Sequence, residues 1–123
     1  MPKMLESRDV RLLTEIGFLA LRYLRFDDSR TIFAAVKALR PDQEAGHIGA
    51  ALTDLLSGDI DQAIASLEKL PTSDAARAFL GMALVKQGAT ADALTVLADV
   101  AASPSDPLYG ELATEILVQL SKS

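Results

Sequence analysis

Ala51-Leu52-Thr53-Asp54-Leu55-Leu56-Ser57-Gly58-Asp59-Ile60-Asp61-Gln62-Ala63 is the stretch from which the fold can be read. Its apolar residues fall three and four apart up to Leu56, the spacing of one helix face. Gly58 supplies a helix end and Asp59 a helix start. The pattern continues through Ala63, Leu67 and Leu70, and it returns at Gly81-Met82, Leu84-Val85, Gly88, Ala93, Leu97 and Val100. It also stands earlier, as Leu13, Ile16-Gly17, Ala20, Phe26, Ser29, Phe33, Val36 and Pro41. Ser29 and Ala63 are 34 residues apart, and Ala63 and Ala93 are 30 apart. A period of this length marks a stack of helix-turn-helix units.

The surrounding punctuation agrees. Asp27-Asp28, Pro41-Asp42, Gly58-Asp59, Pro71-Thr72-Ser73-Asp74, Gly88 and Ser103-Pro104-Ser105-Asp106-Pro107 each have the composition of a helix end or cap. They predict seven helices, at about 8–24, 28–40, 43–57, 60–70, 74–87, 90–102 and 107–121. The linkers are so short that consecutive helices must be antiparallel neighbours. Composition gives the same answer. The 123 residues include 20 Ala and 20 Leu but only 12 Val plus Ile, a balance that favours helices over strands.

Charge and chemistry exclude much. Twelve basic against seventeen acidic residues give a net charge of −5, the wrong sign for nonspecific binding to nucleic acid or an anionic membrane. The most apolar run, Ile16–Leu21, is closed by Glu15 and Arg22 and is too short to span a bilayer. Without cysteine there is no disulfide, thiolate metal site or thiol nucleophile, as expected in a cytosolic protein. His47 is the only histidine. Gly46, Gly49, Gly58, Gly81 and Gly88 form no phosphate-loop spacing. Tyr23, Phe26 and Tyr109 are too sparse for base stacking. Asp27-Asp28 and Asp59-Asp61 fall at helix starts, where the macrodipole accounts for them. The expectation is a non-enzyme with no metal and no cofactor.

The three units resemble the tetratricopeptide repeat (TPR). Small residues recur at its fixed offsets, as Gly17, Ala51 and Gly81 on first helices and Ser29, Ala63 and Ala93 on second helices. Small side chains there let paired backbones approach closely. The aromatic usual near the end of the first TPR helix is replaced by Ala20, Asp54 and Leu84. The resemblance implies an all-α TPR-like solenoid forming a single domain over 1–123. Its repeats lie at about 10–43, 44–73 and 74–105, with a capping helix at about 107–121.

In TPR folds the first helices line a concave groove. Carried over by position, that groove comprises Arg11, Thr14, Phe18, Leu21 and Arg22, then Ala45, Ile48, Leu52, Leu55 and Leu56, then Ala75, Ala78, Met82, Val85 and Lys86. Eleven of these fifteen are apolar. The Lys and Asn clamps of TPRs that bind peptide termini are missing. The helix at 43–57 has bulky residues on one face and Gly49, Ala50 and Thr53 on another, so it is buried on more than one side. An open patch of a few hundred Å² marks an interaction site. At about 25 cal/mol per Å², covering it contributes on the order of 10 kcal/mol before association costs. Phe18, Leu21, Ile48, Leu52, Leu55, Leu56, Met82 and Val85 are therefore the candidate partner-binding residues. Arg11, Arg22 and Lys86 at the rim suit an amphipathic helix with acidic flanks, and Met82 adds adaptability. Packing within the chain or against a second copy would cover the same residues.

With Leu70-Pro71 before the third repeat and Ser105-Asp106-Pro107 before the last helix, the chain is similar to the TPR-type needle-subunit co-chaperones of bacterial type III secretion systems. Ala38-Leu39-Arg40-Pro41 resembles the related plant-pathogen branch. The resemblance implies a cytoplasmic bacterial chaperone. Its groove would mask the amphipathic helix of a secreted needle-type protein and block premature polymerisation. A second small helical chaperone subunit is implied, and self-association is expected when the chain is alone.

Overall fold

The structure, a computed structural model, describes residues 6–70, 73–102 and 105–122. Pro71-Thr72 and Ser103-Pro104, read above as helix punctuation, lie outside the described residues. Among the described residues the chain forms seven α-helices and no strand. They are α1 (Ser7–Arg22), α2 (Phe26–Leu39), α3 (Glu44–Ser57), α4 (Ile60–Glu68), α5 (Asp74–Gln87), α6 (Thr90–Ala102) and α7 (Pro107–Ser121). Predicted and observed boundaries agree to within two residues.

Local chemistry explains the starts. The Glu6 N–H donates to the Asp9 carboxylate at 2.9 Å, one half of a capping box on α1. Ser73 Oγ accepts from the Ala76 N–H at 3.1 Å on α5. On α7 the Asp106 carboxylate accepts from the Leu108 N–H at 2.9 Å, with Pro107 at the first helical position. Asp27 and Asp28 sit inside the first turn of α2, where Asp28 accepts from Arg25 Nε at 2.6 Å.

The three turns that join first to second helices are the same structure. The N–H groups of Arg25, Asp59 and Ala89 reach back to the carbonyls of Ala20, Asp54 and Leu84 at 2.9, 2.7 and 3.0 Å. One residue earlier, Leu24, Gly58 and Gly88 bond to Leu21, Leu55 and Val85. This pair of bonds is a Schellman motif, which demands a left-handed residue at its centre. Gly58 and Gly88 fill that place with φ of 100° and 92°, and Leu24 fills it with φ of 59°. The register inferred from the sequence is thus a register of backbone hydrogen bonds.

The chain divides into two compact units, residues 1–59 and 60–123, a division that falls inside the second repeat of the sequence reading. In the first unit α2 packs against both α1 and α3, which also touch each other. Its centre is Phe33, fully buried. A β-carbon at Gly17 would lie 2.8 Å from the Phe33 ring, and one at Gly49 would overlap it. Two glycines on two helices thus make the slot for one aromatic ring. Burying such a ring contributes about 3 kcal/mol at most. Ser29 on α2 and Thr53 on α3 are also fully buried, with their hydroxyls 3.2 Å apart. One hydroxyl donates across the pair and the other donates backward within its own helix, the carbonyls within reach being Phe26 for Ser29 and Gly49 for Thr53. Arg30 donates to the Asp54 carboxylate at 2.6 Å on the surface.

In the second unit α6 packs against α5 and α7, which touch each other, and α4 packs on α5. The centre is Leu97 with Ala93, Val100 and Ala113, flanked by Leu84, Val85 and Ile116. A β-carbon at Gly81 would meet the branched end of Leu97 at 2.5 Å. The Asp74 carboxylate at the start of α5 accepts from the N–H groups of both Ser105 and Asp106, fixing the entry to α7.

Candidate functional site

The candidate residues on α1 and α3 hold matching places on two packed helices: Thr14 with Ile48, Phe18 with Leu52, Leu21 with Leu55, and Arg22 with Leu56, each pair 34 residues apart. Their accessibility differs sharply. Leu21, Ile48 and Leu55 are 4, 5 and 3% exposed, so they hold helices together. Leu52 is half-buried, Phe18 is 37% exposed and Leu56 is 46% exposed. As a surface, the expected apolar face reduces in this unit to those three side chains. Phe18 serves two roles, because its ring meets Phe33 edge-to-face at 4.8 Å. Met82 and Val85 stand at the corresponding places on α5, in the second unit, and both are half-buried.

Toward the starts of α1 and α3 the face becomes polar. A hollow of about 300 Å³ is lined by Val10, Arg11, Thr14, Arg40, Gln43 and Ala45. Arg11, Thr14 and Ala45 were placed on the groove by register, and the structure brings them together here. Arg40, which register did not select, adds a second guanidinium, tethered to the Leu39 carbonyl at 2.9 Å. Arg22 is exposed near the other end of α1. The arrangement offers apolar contact along α1 and α3 with positive charge near both ends.

The polar inventory is otherwise structural. His47 Nε2 donates to the Pro41 carbonyl at 2.9 Å. Asp61 accepts from Gln87 at 3.0 Å, and Arg77 pairs with Asp99 at 2.9 Å. Among the described residues no cluster of three His, Cys, Asp or Glu side chains could hold a metal ion. No described helix is long and apolar enough to cross a membrane.

Another exposed apolar stripe lies elsewhere on α1. Leu12, Ile16, Leu19 and Tyr23 run down the outer side of α1 at 55, 42, 50 and 67% exposure. None of the four was a candidate. Their spacing of four, three and four was visible in the sequence, but the groove positions drew the reading to a different side of the helix.

No curated protein and no solved structure matches the chain. A model described as the tetratricopeptide repeat matches residues 54–116, just over half the chain and the part in which the glycine-centred turns at Gly58 and Gly88 fall. The helix-turn-helix register, the three turns with the same pair of backbone hydrogen bonds and this match have one reading: the chain belongs to the tetratricopeptide repeat family, with an all-α helical-repeat fold.

Proposed function

We propose that the protein is a non-catalytic binding module that holds an amphipathic helix of another protein along the α1–α3 face. The observation that carries this reading is the pairing of exposed Phe18 and Leu56 and half-buried Leu52 with the Arg11–Arg40 hollow at one end and Arg22 at the other. An apolar track bounded by cations suits a helix with an apolar stripe and acidic flanks. TPR folds commonly serve as scaffolds for protein partners, which supports the coarser part of the proposal.

The finer part concerns the client. A secreted subunit of the type III needle kind exposes an amphipathic helix before assembly, and burial of that helix would block polymerisation in the bacterial cytoplasm. This rests on the family resemblance of the sequence, with a second small helical subunit as co-chaperone.

The test uses synthetic amphipathic helices with acidic flanks, titrated against the chain by fluorescence anisotropy, and light scattering of a polymerising needle subunit. Leu52→Asp and Leu56→Asp are expected to abolish binding while the melting temperature holds. Leu55 is a poor probe, since its burial makes any substitution report on folding. Unchanged affinity in both variants would remove the α1–α3 face from consideration. Binding of helices without any effect on needle polymerisation would keep the module and discard the client.

A further inference from the structure

The hollow between α1 and α3 gives the proposed binding face a direction. Each of these helices packs on α2 and is joined to it by a short turn, so the two run the same way and begin at the same end. Ser7 and Val10 from the first turn of α1 line the hollow, with Gln43 and Ala45 from the start of α3. Two helix N-termini, each worth about half a positive charge, therefore meet Arg11 and Arg40 there.

This positive end holds room for a carboxylate. No side chain caps α3, and among the described residues no carboxylate lines the hollow. Arg11 meets Glu15 only at 3.8 Å, with both side chains exposed, and Arg40 uses one nitrogen, Nη1, on the Leu39 carbonyl. Neighbouring acids have partners of their own. Asp9 accepts from the Glu6 N–H, Glu6 meets Arg8 at 3.8 Å, and Glu44 is engaged. The far end of the face has the opposite backbone polarity. There α1 and α3 finish in carbonyl groups, and of the two only α1 has a basic residue in its last turn, Arg22. Positive potential thus falls along the face from the hollow toward Leu56. Ala45 and Leu56 are 11 residues apart, about 16 Å at 1.5 Å per residue, the length of about three helical turns.

We propose that the partner helix lies antiparallel to α1 and α3, with an Asp or Glu side chain of its C-terminal turn held between Arg11 and Arg40. Its dipole then opposes those of α1 and α3, and its last carbonyls face two positive helix ends. Its carboxylate gains charge-assisted bonds from guanidinium groups. The reverse direction would bring like ends of three helices together. This inference rests on the helix-binding reading above and adds to it the direction and the anchoring group.

Two peptides of one composition test it, each with the same apolar stripe, blocked at both termini and stapled to equal helicity. One carries its Glu residues in the last turn and the other in the first. Fluorescence anisotropy at low salt should show roughly tenfold tighter binding of the peptide with C-terminal acids, a difference that shrinks at high salt. Arg11→Gln together with Arg40→Gln should abolish the preference and leave the apolar binding. If that pair disturbs the fold, Arg11→Gln alone, at an exposed residue, should still lower the preference. A nitroxide on the last residue of the bound peptide should broaden the amide signals of Ser7 and Gln43 and spare those of Arg22 and Leu56. Equal affinities, tighter binding of the N-terminal acids, or broadening at Leu56 overturns the direction; if Leu52→Asp still abolishes binding in that case, the face itself stands. Where neither peptide binds, or binding survives Leu52→Asp, the face fails and the direction fails with it.

Discussion

The triangles α1–α2–α3 and α5–α6–α7 have the same plan, with the middle helix packed on both neighbours and the neighbours touching, yet they are filled differently. In the first, an aromatic ring stands in a slot made by Gly17 and Gly49. In the second, Leu97 stands against Gly81 and beside Ala113. The third helix is also secured differently. α3 is tied by the buried Ser29–Thr53 hydroxyl contact, and α7 by the Asp74 carboxylate receiving two backbone N–H groups. The repeat therefore specifies where helices meet and leaves open what fills the meeting place. A rigid filler makes its glycines indispensable, and a branched aliphatic one leaves slack.

The largest effects come from removing the fillers. Phe33→Ala should cost about 3–5 kcal/mol by urea denaturation, more than the loss from Leu97→Ala. Equal or reversed losses would mean that the glycine slot lends the ring no extra packing. Next come the seats. Gly49→Ala should cost about 1–3 kcal/mol, because the buried ring is pinched between two helices and has nowhere to move. Gly81→Ala should cost less, since Leu97 can change rotamer. Phe33→Leu in the Gly49→Ala background should recover part of the loss, a coupling that a double-mutant cycle reads directly.

The ties rank below the seats. Asp74→Ala should cost about 1 kcal/mol, the scale of a charged acceptor losing its donors at an exposed site, and should speed amide exchange at Ser105 and Asp106. Thr53→Val should cost no more than about 1 kcal/mol, because the Ser29 hydroxyl still reaches the Phe26 carbonyl. The smallest change has the opposite sign. Leu24 is exposed and holds the left-handed place that glycine holds in the other two turns. Leu24→Gly should raise stability by about 1 kcal/mol or less, the relief of that backbone offset by added freedom in the unfolded chain. A loss on Leu24→Gly would show that the side chain contributes packing the turn geometry conceals.

The helices and their register were legible because each boundary carries its own local chemistry. Ser73, Asp106-Pro107, Gly58 and Gly88 act within a few residues of themselves. The division of apolar residues between core and surface was not local. Leu55 and Leu56 are adjacent, equally apolar and both on the expected groove, yet one is buried and the other exposed. A helix with apolar residues on several sides leaves that choice to its neighbours. The α1 stripe escaped for a related reason. The groove offsets select Arg11, Thr14, Phe18, Leu21 and Arg22 on α1, and Leu12, Ile16 and Leu19 fall between them. Arg40 was missed at the hollow because it follows a second helix, outside the groove offsets.

The slot around Phe33 also has a historical dimension. Growth at residue 17 or 49 is blocked while the ring stands, and shrinking residue 33 first opens both positions at once. Substitutions at these three sites can therefore accumulate in one order and not in the other. Among related chains, alanine at either seat should be accompanied by a smaller side chain in the middle of α2. The second triangle, with an aliphatic residue at its centre and alanine already at position 113, has the form expected after such a step.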